Sequence, residues 1–137
     1  MKPNEITREI VDAAYKLHTE LGPGLLETVY EVTLAHELER RGMRVRRQVP
    51  IAIRYNGVEF NEGFRADLLV EESVIVELKS TEKNHPVYPK QLRTYLVIAG
   101  LHVGLVLNFG LERMSDGITR IVNGLPDDPI QPSESAS

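Results

Sequence analysis

Residues 64–79 read FRADLLVEESVIVELK. Two apolar runs flank a short polar turn, which is the pattern of a β-hairpin. With Glu71, Glu72 and Ser73 as a three-residue loop, Val70 faces Val74 and Leu68 faces Val76. Asp67 then stands directly opposite Glu77, with the two Cβ atoms roughly 4.5–5.5 Å apart on one face of the sheet. Lys79 lies two positions beyond Glu77 and shares that face, while Leu68, Val70, Val74, Val76 and Leu78 fill the other. A two-residue loop would instead send the two carboxylates to opposite faces, so the reading commits to a register. Opposed carboxylates repel unless something positive lies between them. Lys79 offsets part of that repulsion, and a hard divalent cation held by carboxylates and water offsets more. A lysine beside such an ion can polarise an attacking water and offset charge developing on a phosphate. The spacing alone also admits a plainer reading, a solvated Asp at one strand's start and a solvated Glu-Lys pair at the other's end.

Working toward the N-terminus, Asn56-Gly57 marks a tight hairpin turn between one or two strand segments spanning Val45 to Tyr55 and a return through Val58 and Phe60. Pro50 marks an edge or a bulge in the first of these. Upstream, Ile6, Ile10, Ala13, Ala14, Leu17 and Leu21 fall at helical spacing over 5–21. Gly22-Pro23-Gly24 breaks that helix. A second helix is predicted over 25–41, with Leu26, Val29, Tyr30, Leu34 and Leu38 as its buried stripe and Gly42 at its end. Toward the C-terminus, Pro86 and Pro89 open a helix that runs to Ala99 and ends at Gly100. The stretch 102–108 is almost wholly apolar and reads as a strand buried on both faces. Residues 118–122 could add a last short strand. The expected order is α-α-β-β-β-β-α-β, with that strand as an optional addition, which is a mixed sheet flanked by helices. Residues 125–137 are rich in Pro, Ser and acid and read as a disordered tail after a single domain over 1–124.

The chain has 137 residues and no cysteine. Disulfides and thiolate metal sites are therefore excluded, and any metal must rest on carboxylate, imidazole or carbonyl groups. No apolar run approaches the roughly 18 residues of a membrane span. The polar stretch 1–8 lacks a signal peptide's apolar core, and a cytoplasmic location with no membrane partner is expected. Net charge is −4, with three of the negative charges at Asp127, Asp128 and Glu134 in the tail. Against that near-neutral body, Arg40, Arg41, Arg44, Arg46 and Arg47 cluster. Such a stripe can engage phosphates, and it reads equally as a solvated helix end and edge strand. His18, His36, His85 and His102 show no ligand spacing, and no Gly-rich phosphate loop or nucleophile elbow is present.

Asp67 followed by Glu77-Leu78-Lys79 resembles the motif of the PD-(D/E)XK nuclease superfamily, with Ala66-Asp67 where Pro-Asp names the family. Gln91-Leu-Arg-Thr-Tyr95 resembles the Gln-x-x-x-Tyr element of its RecB-like branch. Gly24-Leu-Leu-Glu27-Thr-Val-Tyr30 is similar to the GxxExxY signature of a family of small bacterial proteins, and the likeness runs to Gly117-Ile118. The resemblance implies an α/β, restriction-endonuclease-like fold with an α-β-β-β-α-β core and a mixed central sheet. It implies that Asp67 and Glu77 bind metal, joined by Glu27 and the carbonyl of Leu78, and that Lys79 is the catalytic lysine. Glu31, one turn after Glu27, is a second candidate for the helix acid. Gln91 and Tyr95 would position substrate, with Arg65 beside them on phosphate or on the acids. Tyr30 reads as core packing.

The expected activity is hydrolysis of phosphodiesters in DNA or RNA, with DNA favoured, using Mg²⁺ or Mn²⁺. Arg44, Arg46 and Arg47 are the expected nucleic-acid contacts. A homodimer could form through the edge strand near Val45–Ile53. The rival readings are a catalytically silent nuclease-fold module that binds nucleic acid, and an interaction protein whose acids serve only as a regulatory metal site.

Overall fold

The computed structural model describes residues 1–124, so the tail expected over 125–137 lies outside the described residues. Helices α1 (Pro3–Leu21) and α2 (Glu27–Arg40) precede strands β1 (Val45–Tyr55), β2 (Val58–Val70) and β3 (Val74–Lys79). Helix α3 (Val87–Ala99), β4 (Val103–Asn108), a 3-10 turn at Met114–Gly117 and β5 (Ile118–Val122) follow. The strands lie in the order β1-β2-β3-β4-β5. All neighbours are antiparallel except β3 and β4, which run parallel and are joined by α3. This is the mixed α/β sheet that the sequence predicts, with one difference. The return after Asn56-Gly57 and the strand beginning near Phe64 are a single 13-residue strand. A register shift between Ile51 and Ile53 absorbs the polar stretch between them. Gly63 is required there, because a Cβ would lie 2.5 Å from Ile53 Cγ1 and 2.6 Å from the Ile51 carbonyl.

Helices α1 and α2 cover one face of the sheet. Ile6, Ile10, Ala13, Ala14 and Leu17 of α1 and Tyr30, Leu34 and Leu38 of α2 pack with Leu68, Val70, Val74, Val76, Leu78, Leu105 and Leu107. On the opposite face, Leu92 and Leu96 of α3 pack with Val49, Ala66, Leu69, Ile75, Val106 and Ile121. β4 contributes to both clusters and is buried throughout, which explains its unbroken apolar run. The stripe predicted on α2 is corrected in part. Leu26 precedes the helix as its N-cap and is 77% exposed, and Val29 is also exposed. Their places on the buried face go to Glu31, Ala35 and Glu37. Glu37 is accommodated because Lys16, Arg40 and Arg41 all pair with it.

The loop between β2 and β3 settles the register. Val70 pairs with Val74 and Leu68 with Val76, leaving Glu71, Glu72 and Ser73 as the connection. Glu71 and Glu72 both adopt the left-handed region, at φ 53° and 51°. Their carboxylates help to hold the turn: Glu71 accepts from the Arg44 N–H at 2.7 Å, and Glu72 takes two 2.8 Å bonds from the Arg46 guanidinium.

One rung breaks the alternation of both long strands. In β1, Val45 packs toward α1 and α2, whereas Val49 and Ile51 pack toward α3. In β2, Leu68 and Val70 lie on the α1/α2 side, but Ala66 joins Leu69 on the α3 side. The exchange occurs at Gln48 and Asp67, between the paired rungs Arg47–Leu68 and Val49–Ala66, and Gln48 has a φ of 54°. β1 is an edge strand, as expected. Pro50 and the left-handed Gln48 interrupt it, and both features discourage pairing with another strand.

Candidate active site

Asp67, Glu77 and Lys79 line one cavity of about 260 Å³ on the α3 side of the sheet. Each arrives there for a local reason. Asp67 sits at the rung where β2 changes face, and Glu77 and Lys79 are alternate residues of β3. The last paired rung is Leu68–Val76, and just beyond it Asp67 and Glu77 meet in the same cavity. Asp67 Oδ2 also accepts the Leu78 N–H at 2.8 Å, which ties the carboxylate to the neighbouring strand beyond their last paired rung. Helix α3 supplies the facing wall through Tyr88, Gln91 and Tyr95, and Phe64 and Arg65 of β2 close one side. Tyr95 stacks on Phe64, with centroids 3.6 Å apart. Arg65 is exposed and donates to the Gln48 carbonyl at 3.1 Å.

Glu27 also lines the cavity, from the first turn of α2. The residues around it explain the Gly24-x-x-Glu27-x-x-Tyr30 spacing. Tyr30 is fully buried and stacks on Phe109 at 4.3 Å between centroids. Its hydroxyl donates to the Gly22 carbonyl at 2.6 Å and accepts the Leu25 N–H at 3.1 Å. Gly24 has a φ of 86°, and its N–H donates to the Phe109 carbonyl. Tyr30 is therefore a core residue, as expected, and its polar end clamps the turn that delivers Glu27. The Ser80 hydroxyl donates to the Leu25 carbonyl, joining the end of β3 to the same turn.

The electrostatics are those of two carboxyl groups brought together, each disfavouring the other's charge. Glu77 is pushed up to about 8 from the ordinary 4.5, first by burial and then by the charge of Asp67, with Lys79 offsetting a part. Among the described residues, Glu77 Oε1 is the buried side-chain polar atom left with no hydrogen-bond partner. An unpaired buried carboxylate oxygen is costly, and a hard divalent ion would satisfy it. The residues fit such an ion, because magnesium commonly takes one or two carboxylates and completes its shell with water and substrate phosphate. The expected convergence of three carboxylates is not formed. Among the described residues, no group of three or more His, Asp or Glu side chains is gathered closely enough to hold an ion. Asp67 and Glu77 are brought together, and Glu27 remains exposed on the cavity wall.

Lys79 shares the cavity, but its Nζ lies over the Tyr88 ring, 4.5 Å from the centroid. The sequence reading missed Tyr88. Its signal was present, since residues 88, 91, 92 and 95 repeat at helical spacing on one side of α3 and 92 is core. Phe64 was missed likewise, read only as the start of a strand. Gln91 and Tyr95 both reach the cavity. Glu31 does not line it. That residue is buried on the α2 side and paired with Arg47 at 3.0 Å.

The arginines expected to contact nucleic acid are engaged with acids. Arg44 pairs with Glu71 at 3.5 Å, Arg46 with Glu72 at 2.8 Å and Arg47 with Glu31 at 3.0 Å. The cluster is thus not a row of uncompensated charge. The histidines stay outside the cavity; His18 and His102, for example, bond the carbonyls of Leu111 and Asn123.

Among the described residues, no helix is long and apolar enough to cross a membrane. Comparison with curated proteins and with solved structures finds no match for this chain. A family model does match, over residues 4–121, which takes in both N-terminal helices, the acidic hairpin and all five strands nearly to the end of the last. On that match and on a mixed sheet whose central hairpin gathers Asp67, Glu77 and Lys79, the chain belongs to the PD-(D/E)XK nuclease superfamily.

Proposed function

We propose that this chain hydrolyses phosphodiester bonds in nucleic acid, DNA in preference to RNA, with Mg²⁺ or Mn²⁺ held by Asp67 and Glu77. The observation that carries the reading is the partnerless, buried Glu77 Oε1 opposite Asp67, in a cavity that also contains Lys79. The bound ion would polarise the phosphate and raise the acidity of a water. Lys79 orients that water and offsets negative charge building on the phosphoryl oxygens. Its ammonium rests on the Tyr88 face, so a movement off that ring would deliver a cation to the substrate. Glu27, exposed on the α2 wall of the same cavity, would add a third carboxylate toward the ion, and the Leu78 carbonyl is a candidate backbone ligand beside Glu77. Gln91 and Tyr95 hold the substrate strand against the α3 wall, with Arg65 at the side. Arg44 and Arg46 reach phosphate only by exchanging their present acidic partners for it, while Arg47 stays paired with Glu31. The chain is a branch of the superfamily with the GxxExxY signature, working in the cytoplasm.

The test uses purified protein with end-labelled single- and double-stranded DNA and RNA, in Mg²⁺, in Mn²⁺ and in chelator, beside a Lys79→Ala variant. Metal-dependent cleavage that the variant loses is the expected result. Equal cleavage by both proteins, or none on any substrate in either metal, refutes the proposal.

A further inference from the structure

The rung where β1 and β2 exchange faces contains a side chain that the chemistry above does not use. Gln48 is a non-glycine residue at φ 54° inside a strand. Such a conformation persists only where the surroundings impose it. Here it gives the side chain reach in two directions. Gln48 Nε2 donates to Glu31 Oε1 at 2.5 Å and to Asp67 Oδ1 at 3.3 Å. Glu31 is buried on α2, and its Oε2 accepts from Arg47 Nε at 3.0 Å. Asp67 Oδ2 meanwhile accepts the Leu78 N–H. Both oxygens of Asp67 are therefore engaged, one by the strand that bears Glu77 and the other by a chain of side chains leading back to α2.

We infer that Arg47, Glu31 and Gln48 form a positioning chain that sets the rotation of the Asp67 carboxylate for a divalent cation, and that Gln48 keeps its left-handed backbone for this purpose. The inference rests on the metal-dependent reading above. Glu31 enters it as an anchor on α2, a role distinct from that of a metal ligand. The ion pair with Arg47 fixes the Glu31 carboxylate, which in turn fixes the Gln48 amide. A ligand oriented by outer partners binds its ion without first losing rotational freedom, and loss of such a partner typically weakens metal affinity about 10- to 100-fold.

The test compares the full chain with Gln48→Asn and Gln48→Gly. Both replacements accept a left-handed backbone, and the Asn amide falls one methylene short of its two acceptors. Mn²⁺ affinity is read by calorimetry, urea midpoints are read in chelator, and cleavage is read across a Mn²⁺ series. Both variants are expected to fold with a modestly lower midpoint, because Glu31 Oε1 loses a donor, and to bind Mn²⁺ about 10- to 100-fold more weakly. Cleavage should recover as Mn²⁺ is raised, with the KM for nucleic acid unchanged. Wild-type Mn²⁺ affinity in both variants refutes the positioning chain and leaves the nuclease reading standing. A large fall in both midpoints refutes it too, by making Gln48 a structural brace. A wild-type protein that binds no Mn²⁺ removes the metal reading and this inference together.

Discussion

The buried carboxyl of Glu77 makes an opposing pair of demands on the protein, and Glu77→Gln separates them. In metal-free buffer the group sits near 8, against an ordinary 4.5. The unfolded chain therefore releases its proton near 4.5 while the folded chain keeps it until near 8. Between those values the folded state binds more protons than the unfolded state. Stability from this group is then full below about 4.5 and falls as pH rises toward 8. Each pH unit in that window costs about 1.4 kcal/mol, so the penalty is at most about 3 kcal/mol at pH 7 and about 5 kcal/mol above pH 9. A Gln has no such charge to bury. Urea unfolding in chelator should find Glu77→Gln more stable than wild type at pH 7, by up to about 3 kcal/mol. The gain should widen by pH 9 and vanish near pH 4.5. Saturating Mn²⁺ should reverse the order at pH 7, because an ion at one thousand times its Kd stabilises the wild type by about 4.1 kcal/mol and the variant by far less. A variant no more stable than wild type at pH 7 and pH 9 would refute the reasoning that burial and Asp67 disfavour this charge.

Four further outcomes are expected. Lys79→Ala should lose cleavage by roughly 10²- to 10³-fold while its Mn²⁺ affinity, by calorimetry, holds or rises, since a neighbouring positive charge is removed. Glu37 is held down to about 2 by its bonds to Arg40 and Arg41, and to Lys16 after them. Its contribution to stability should be whole above about 4.5 and lost as pH falls toward 2, so acid unfolding curves of wild type and Glu37→Gln should converge there. Tyr30→Phe removes the hydroxyl that ties Gly22 to Leu25 and should cost about 1–2 kcal/mol in urea unfolding, with faster amide exchange at Leu25. Fully buried Asn108 accepts the Thr81 and Gly110 N–H groups and donates to Asn84 Oδ1. Asn108→Ala should therefore cost about 2–4 kcal/mol and open the segment after Lys79 to protease.

Local pattern carried the elements. Period-two runs ending in Glu71-Glu72-Ser73, and the Asn56-Gly57 turn at φ 52° and 76°, specify hairpins through nearest neighbours alone. Where the reading erred, the deciding contact was distant. The polar stretch after Phe60 looks like a break, yet pairing with β1 and the close approach of Gly63 to Ile53 keep it in one strand. Leu26 and Val29 look like core, but the axis of α2 is set by Tyr30 against Phe109, and that contact turns them outward. The arginine cluster looks like a phosphate-binding stripe until β1 brings Arg47 beside Glu31 and the β2–β3 loop brings Glu71 and Glu72 beside Arg44 and Arg46.

By itself the sequence determined the hairpin and its register from Leu68–Val76 to Val70–Val74, and hence a common side of the sheet for Asp67, Glu77 and Lys79. Those relations follow from the two-residue period of a strand and the length of one loop. Only the tertiary structure decided how each carboxyl is treated. The exchange of faces at Gln48 and Asp67, the burial that leaves Glu77 Oε1 without a partner, and the placing of Tyr88 under the Lys79 ammonium all depend on α2 and α3 closing over the sheet. Alternation along an unbroken strand fixes which side a residue takes, whereas a break in it, and each residue's charge and partners, depend on what packs against that side, often from far away in the chain.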